Sequence, residues 1–252
     1  MVADPGAGTT RVLHGSFTIS LVRATRHTGF LPVMDSSHLT RKLVVAAHAG
    51  LAGSLVGATA LHIGWAKQVD TVRHTVSDYA LSKNAAAVFA GTVASLSAGS
   101  AALLAGLVRS RLPIGAPATA LLGVWCGGMA LTGIFRTDPQ GGVPTARGLT
   151  HRYAAGGAIA TLPAVGLLIA RRLQGMPGWE RKARPLRRIS WASAAGGLAF
   201  LATHVSATAA RPTPAVRAIG GWLGLAERAA LTLELSLLFQ LAEAVQASRE
   251  ER

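Results

Sequence analysis

Six long apolar segments, separated by charged connectors, determine what this chain can fold into. Each has roughly the 17–25 residues that a helix needs to cross a bilayer: Leu43–Ala66, Asn84–Val108, Gly115–Phe135, Tyr153–Ala170, Ile189–Ala210 and Ala229–Gln246. Only 14% of the residues are charged, whereas a soluble domain has about 25%. Lipid offers the backbone no hydrogen-bond partners, so such segments must be helices. The sequence predicts an all-α protein, a six-helix transmembrane bundle with short loops over residues 43–246.

Both ends of the chain differ from these segments. Residues 1–42 are predicted to be a disordered cytoplasmic tail, and residues 247–252 a short cytoplasmic C-terminal tail. The first tail has no apolar core followed by a cleavage site, so a signal peptide is not expected. Met34 lies directly before the polar stretch that leads into the first span, and it is an alternative start to Met1. A chain that begins at Met34 is therefore expected to insert normally.

The distribution of Lys and Arg predicts the orientation. With the N-terminus inside, the inner segments hold 16 basic residues and the outer segments hold 9. Basic residues are retained on the cytoplasmic side, so we expect a plasma-membrane protein with both termini in the cytoplasm. The inner loop Arg171–Arg188 contributes most to this bias. Its basic residues are interpreted as a topology anchor, with binding of anionic lipid head groups as the alternative.

Composition also narrows the classes of partner. The net charge is +14, but the basic residues lie between apolar segments, and only 5% of the residues are aromatic. Nucleic-acid binding is therefore not expected, because it needs a continuous basic surface with aromatic side chains. The single cysteine, Cys126, excludes an intrachain disulfide.

Small residues are expected to mediate packing between the spans, since they allow helix backbones to approach closely in lipid. The candidate contacts are the G-x-x-x-G pairs Gly53–Gly57 and Gly123–Gly127. Trp125 lies in the middle of an apolar run rather than at a membrane boundary. It is therefore predicted to be a core residue.

Three polar connectors should emerge on the outer face: Lys67–Asn84, Phe135–Tyr153 and Arg211–Arg228. They and the adjacent helix ends hold the candidate site residues, which are Ser77, Asp78, Arg136, Asp138, His151, His204, His62, Glu227, Arg228 and Glu234. Carboxylates beside arginines can pair to hold helix ends together, and Arg136 could pair with either Asp78 or Glu227. An arginine in this setting can also bind a lipid phosphate through two hydrogen bonds.

Four short motifs in these connectors suggest a family. They are SDYA at 77–80, GIFRTDP at 133–139, LTHRYAAG at 149–156 and GLAERAAL at 224–231. Their order resembles the bacterial membrane family called domain of unknown function 998, over residues 43–246. That family more often has Gln at the position of Glu227 and Gly at the position of Ala80. The resemblance implies a six-span integral membrane protein and no established activity.

Three titratable residues are predicted to lie at one depth below the outer face. His62, His204 and Glu234 each lie a few residues inside a span, and such residues normally face the bundle interior. One interpretation is that each histidine is satisfied by a neighbouring backbone carbonyl or hydroxyl group and that Glu234 is protonated. The other is that the three residues converge below Asp138 and His151 in a hydrated pocket open to the outer face. The candidate metal ligands are His62, His204, Glu234, Asp138 and His151, because two histidines and a carboxylate can hold a metal. The same group could instead receive a lipid head group.

Three functions are compatible with the sequence. The first is a structural or lipid-binding membrane protein whose partner is membrane lipid. The second is a metal-dependent hydrolase that acts on lipid and resembles the ceramidase and progestin-receptor superfamily, with Ser77, Asp78, Asp138, His151 and His204 as candidates. That superfamily has seven spans and a paired His motif, which this chain lacks. The third is a transporter that uses Glu234. The sequence identifies no cofactor, substrate or oligomeric state.

Overall fold

A computed structural model describes residues 36–110 and 112–250, and every regular element in this part of the chain is helical. The elements are α1 (Ser36–Gly64), a 3-10 helix (Val76–Leu81), α2 (Ala86–Arg109), α3 (Gly115–Ile134), α4 (Ala146–Gln174), α5 (Glu180–Ala207), the short α6 (Pro214–Gly220) and α7 (Leu223–Glu250). The prediction of an all-α fold is confirmed.

Only the last residues of the predicted N-terminal tail are among those that the structure describes. Residues 36–42, which were expected to be disordered, form the first turns of α1. The remainder of that tail, including the alternative start at Met34, lies outside the described residues.

The six long helices are arranged as a ring. Each of α1 to α5 packs against the next long helix along the chain, and α7 packs against both α5 and α1. α7 also contacts α2 and α4 across the ring, so several of its leucines, including Leu237, Leu238 and Leu241, are completely buried. The last helix of the chain therefore supplies the centre of the core.

In the part of the chain that the structure describes, four helices are long and apolar enough to cross a membrane: His38–Gly64, Ala86–Arg109, Gly115–Ile134 and Ala146–Gln174. They correspond to the first four predicted spans. α5 and α7 occupy the positions of the fifth and sixth, but α5 begins with a run of basic residues and α7 carries Glu234 and Gln240. α7 lies largely against protein rather than lipid, which relaxes the demand for apolar side chains. The count of six stays a prediction.

Glycines allow α1 and α2 to pack backbone against backbone. A Cβ atom at Gly50 would lie 2.6 Å from the Cα of Gly99, and one at Gly99 would lie 2.8 Å from the backbone nitrogen of Leu51. Gly53 and Gly57 also face α2, through Ser95 and Thr92. That part of the packing prediction is confirmed, although the contact between the two backbones lies one turn earlier, at Gly50.

The second predicted packing motif is wrong. A Cβ atom at Gly123 or Gly127 would meet no atom within 4 Å, whereas one at Gly128 would lie 2.7 Å from the carbonyl oxygen of Ala154 on α4. Neighbouring glycines lie on different sides of a helix, so spacing along the chain does not show which of them faces another helix.

Candidate functional site

The three polar connectors meet at one end of the ring, around the first turn of α7. The backbone N–H groups of Gly224 and Leu225 donate to the carbonyl oxygen of Val72, at 2.8 and 3.1 Å. The N–H of Val76 donates to the carboxylate of Glu227, which is buried. The connector between α1 and α2 is thus held to α7 by backbone and side-chain bonds.

Arg228 links the same connector to α1. Its Nε donates to Nε2 of His62 at 2.7 Å, and its Nη1 donates to the carbonyl oxygens of His74, at 2.7 Å, and Gly224, at 2.9 Å. Nδ1 of His62 lies 2.6 Å from the carbonyl oxygen of Ala58. A carbonyl only accepts and a guanidinium only donates, so His62 carries its hydrogen on Nδ1.

Tyr79 completes this group as an aromatic wall. Its side chain is fully buried, at 0% exposure, and its ring lies edge-on to the ring of His62 with centroids 5.7 Å apart. The guanidinium of Arg228 lies 6.0 Å from the centre of the tyrosine ring. The arginine is therefore positioned by hydrogen bonds to neutral acceptors and by a π face.

Asp78 joins the first connector to the second. Its Oδ2 accepts hydrogen bonds from the backbone N–H of Thr75 at 2.7 Å, from the Thr75 hydroxyl at 3.0 Å and from the amide of Gln140 at 3.1 Å. These bonds all go to one oxygen. Among the described residues, Oδ1 of Asp78 has no hydrogen-bond donor.

Asp138 shapes the second connector where it enters α4. Its two oxygens accept from the N–H and the hydroxyl of Thr145, both at 2.8 Å, and Thr145 in turn caps α4 by accepting from the N–H of Gly148 at 3.1 Å. The bond from the Thr145 backbone lowers the pKa of Asp138, so this carboxylate stays ionised at neutral pH. A Cβ atom at position 148 would collide with the Asp138 carboxylate, which explains the glycine there.

His151 ties α4 to the end of α3. Its Nδ1 lies 3.0 Å from the carbonyl oxygen of Thr132 and 2.8 Å from that of Phe135, two groups that α3 leaves without intrahelical partners. Nδ1 therefore carries the hydrogen and donates it to the helix terminus. The ring is buried.

Other predicted site residues lie elsewhere. Arg136 is exposed and forms an ion pair with neither Asp78 nor Glu227, the two partners considered for it. Those carboxylates accept hydrogen bonds from Thr75, Gln140 and Val76 instead. Glu234 is buried at 1% exposure, and both of its oxygens lack hydrogen-bond partners within the described part of the chain.

Two cavities adjoin at this end of the ring. The first, of about 370 Å³, lies among α1, α2, α3, α4 and α7 and is lined mainly by apolar side chains such as Phe89, Met129 and Leu231. The second, of about 310 Å³, also has mainly apolar walls but carries more polar groups than the first, including Asp78, Asp138, Gln140, His151 and Arg152. We call it the polar cavity. Three residues line both cavities: Ser77, Ala155 and Glu227. The hydroxyl of Ser77 lies 3.0 Å from that of Thr75.

His62, His204 and Glu234 line no common cavity at this end of the ring. His62 lines the apolar cavity, His204 lines the polar one, and Glu234 lines neither. Across residues 36–110 and 112–250, no three His, Cys, Asp or Glu side chains are grouped so that they could hold a metal ion. The candidate metal ligands were selected by depth along each helix, and depth does not determine the direction in which a side chain points.

Several residues of the site have no signal in the sequence. Val76 contributes only its backbone N–H, and His74 contributes its carbonyl oxygen. Gln140 and Thr145 are ordinary polar loop residues that receive their roles from Asp78 and Asp138. The apolar cavity also cannot be seen in the sequence, because its walls come from five helices.

Comparison with known proteins gives one family. The sequence model described as "Protein of unknown function (DUF998)" matches residues 48–243, which is most of the chain. No curated protein and no solved structure matches the chain. The family match and the four long apolar helices agree on a multi-pass membrane protein. The chain belongs to the DUF998 family of membrane proteins.

Proposed function

We propose that this protein binds a membrane lipid in the two adjoining cavities, with the lipid head group in the polar cavity and its acyl part in the apolar one. The observation that carries the proposal is that Ser77, Ala155 and Glu227 line both cavities. A polar space that continues into an apolar one matches a molecule with a polar and an apolar end. Each cavity also falls within the range of about 300–1,000 Å³ that is usual for ligand sites.

The apolar cavity reaches the outside of the ring along α1. Leu55 and Ile63 both line it, yet they are 51% and 78% exposed. Thr59 and Thr232, on α1 and α7, line it and are exposed as well. In a bilayer, an opening between these two helices would face acyl chains, so a lipid can enter sideways without passing through water.

The polar cavity is assigned to the extracytoplasmic side of a plasma membrane, with both termini in the cytoplasm. The basis is the excess of Lys and Arg in the connectors at the other end of the bundle. The site is therefore available to lipids of the outer leaflet.

The test is the amount of phospholipid that remains with the purified protein. Ala155→Trp places a large ring at the junction of the cavities, and we expect at least about a tenfold loss of bound lipid, equivalent to about 1.4 kcal/mol. Lipid is extracted after purification in detergent and measured by mass spectrometry against protein.

The matched control is Ala160→Trp, the same change on the exposed side of the same helix. It should retain the wild-type amount of lipid. Equal lipid in both variants and the wild type would show that the cavities are not where lipid is held.

A further inference from the structure

We propose that the lipid is a zwitterionic phospholipid with a primary amine, whose phosphate binds Arg228 and whose ammonium group binds Glu227 and Asp78. This inference rests on the proposed lipid-binding function and names the class of head group. It derives from the order of charges along the two cavities.

Among the described residues, Arg228 has no anion within ion-pair or hydrogen-bond distance: its acceptors there are the ring of His62 and two carbonyl oxygens. Its charge acts on the neighbouring carboxylate of Glu227, but the two groups do not form an ion pair. Its Nη2 is buried without an acceptor among the described residues, and no carboxylate of that part of the chain lies within 4.0 Å of the guanidinium. A partly buried charge is costly unless it is paired. Because the side chain lines the apolar cavity, a ligand phosphate can supply the missing charge.

The adjoining polar cavity has the opposite character. Glu227 accepts one hydrogen bond, through Oε2, and Asp78 accepts all of its hydrogen bonds through Oδ2. Within the described residues this leaves Oε1 of Glu227 and Oδ1 of Asp78 without donors. An ammonium group has three N–H donors and a positive charge, so it matches these two oxygens.

The positions of these groups give the direction of the lipid. Asp78 lines only the polar cavity, Glu227 lines both, and Arg228 lines only the apolar one. Starting in the polar cavity, the groups along the two cavities are therefore the carboxylate of Asp78, the carboxylate of Glu227, the guanidinium of Arg228 and then apolar side chains. An aminophospholipid has ammonium, phosphate and acyl chains in the corresponding order. A purely anionic phospholipid would satisfy Arg228 but would place its head group beside two carboxylates.

The test is competition among three lipids with identical acyl chains. Delipidated protein in detergent receives equal amounts of phosphatidylethanolamine, phosphatidylglycerol and diacylglycerol, and bound lipid is counted by native mass spectrometry. The wild type should prefer phosphatidylethanolamine by about tenfold over phosphatidylglycerol, equivalent to about 1.4 kcal/mol, and should bind diacylglycerol least.

Two variants that each remove one charge separate the two contributions. Glu227→Gln should bring phosphatidylethanolamine and phosphatidylglycerol to similar occupancy while both still exceed diacylglycerol. Arg228→Gln should reduce both phospholipids to the level of diacylglycerol. Diacylglycerol binding that persists in each variant shows that the apolar cavity is still folded.

Three results would overturn the inference. One is equal binding of phosphatidylglycerol and phosphatidylethanolamine by the wild type. That result would contradict the head-group assignment and leave lipid binding itself intact. Another is displacement of phosphatidylethanolamine by inorganic phosphate alone, which would assign Arg228 to a free anion. The third is failure of all three lipids to bind, which would remove the proposed function as well.

Discussion

Gly99→Ala is expected to lower the free energy of unfolding by about 3 kcal/mol, the upper part of the range for overpacking. The added methyl group would lie 2.8 Å from the backbone nitrogen of Leu51 and 3.0 Å from the carbonyl oxygen of Ala47. These neighbours are backbone atoms that cannot rotate away, so α1 and α2 must separate. Denaturation of the purified protein in detergent, followed by circular dichroism, measures the change.

Gly91→Ala is the control on the same helix. A Cβ atom there would meet nothing within 4 Å, and alanine favours the helix by roughly 0.5–1 kcal/mol over glycine. This variant should therefore be as stable as the wild type or more stable. If Gly99→Ala were equally harmless, α1 and α2 would not be packed backbone to backbone.

Trp125→Ala is expected to cost about 3–5 kcal/mol, as truncation of a buried aromatic side chain usually does. Trp125 is 1% exposed, and its Nε1 donates to the hydroxyl of Ser100 on α2 at 3.0 Å. The change removes the ring between α2 and α3 and leaves the buried hydroxyl without its donor. The same denaturation experiment measures the effect.

Two further variants make the result specific. Trp191→Ala removes the same side chain from a position that is 62% exposed, and in detergent it should alter stability by less than about 0.5 kcal/mol. Trp125→Phe keeps a ring but loses the donor, so its cost should be intermediate. Equal effects at positions 125 and 191 would contradict a core role for Trp125.

Much of the fold is predictable from composition and periodicity. The lipid environment leaves helices as the only way to satisfy the backbone of long apolar segments, so an all-helical fold follows from the sequence. The helix ends follow less closely, since α4 begins at Ala146 and α5 at Glu180, ahead of the apolar runs that begin at Tyr153 and Ile189. Trp125 was predicted to be a core residue from its place in an apolar run, and its burial confirms this. The two helices that do not meet the criterion for a span, α5 and α7, carry basic and acidic side chains.

The site is less predictable, because its bonds join residues that are far apart in the chain. Val76 donates to a carboxylate 151 positions later, and Arg228 donates to a histidine 166 positions earlier. Asp78, Glu227 and Arg228 can be selected from the sequence as polar residues of the outer connectors. His62 and Glu234 have similar depth in the sequence, yet His62 lines the apolar cavity and Glu234 lines neither cavity. The rotation of each helix about its axis is set by packing, so depth alone does not show which side chains share a cavity.

Impermeant cysteine labelling tests most directly whether the protein is an integral membrane bundle whose polar cavity faces outward. In a Cys126→Ala background, cysteines are placed singly at Gln140, whose amide binds Asp78 in the polar cavity, and at Glu180, in the exposed first turn of α5 at the other end. The account predicts that Gln140→Cys is labelled in intact cells and that Glu180→Cys is labelled only after lysis. Labelling of Gln140→Cys only after lysis would contradict it.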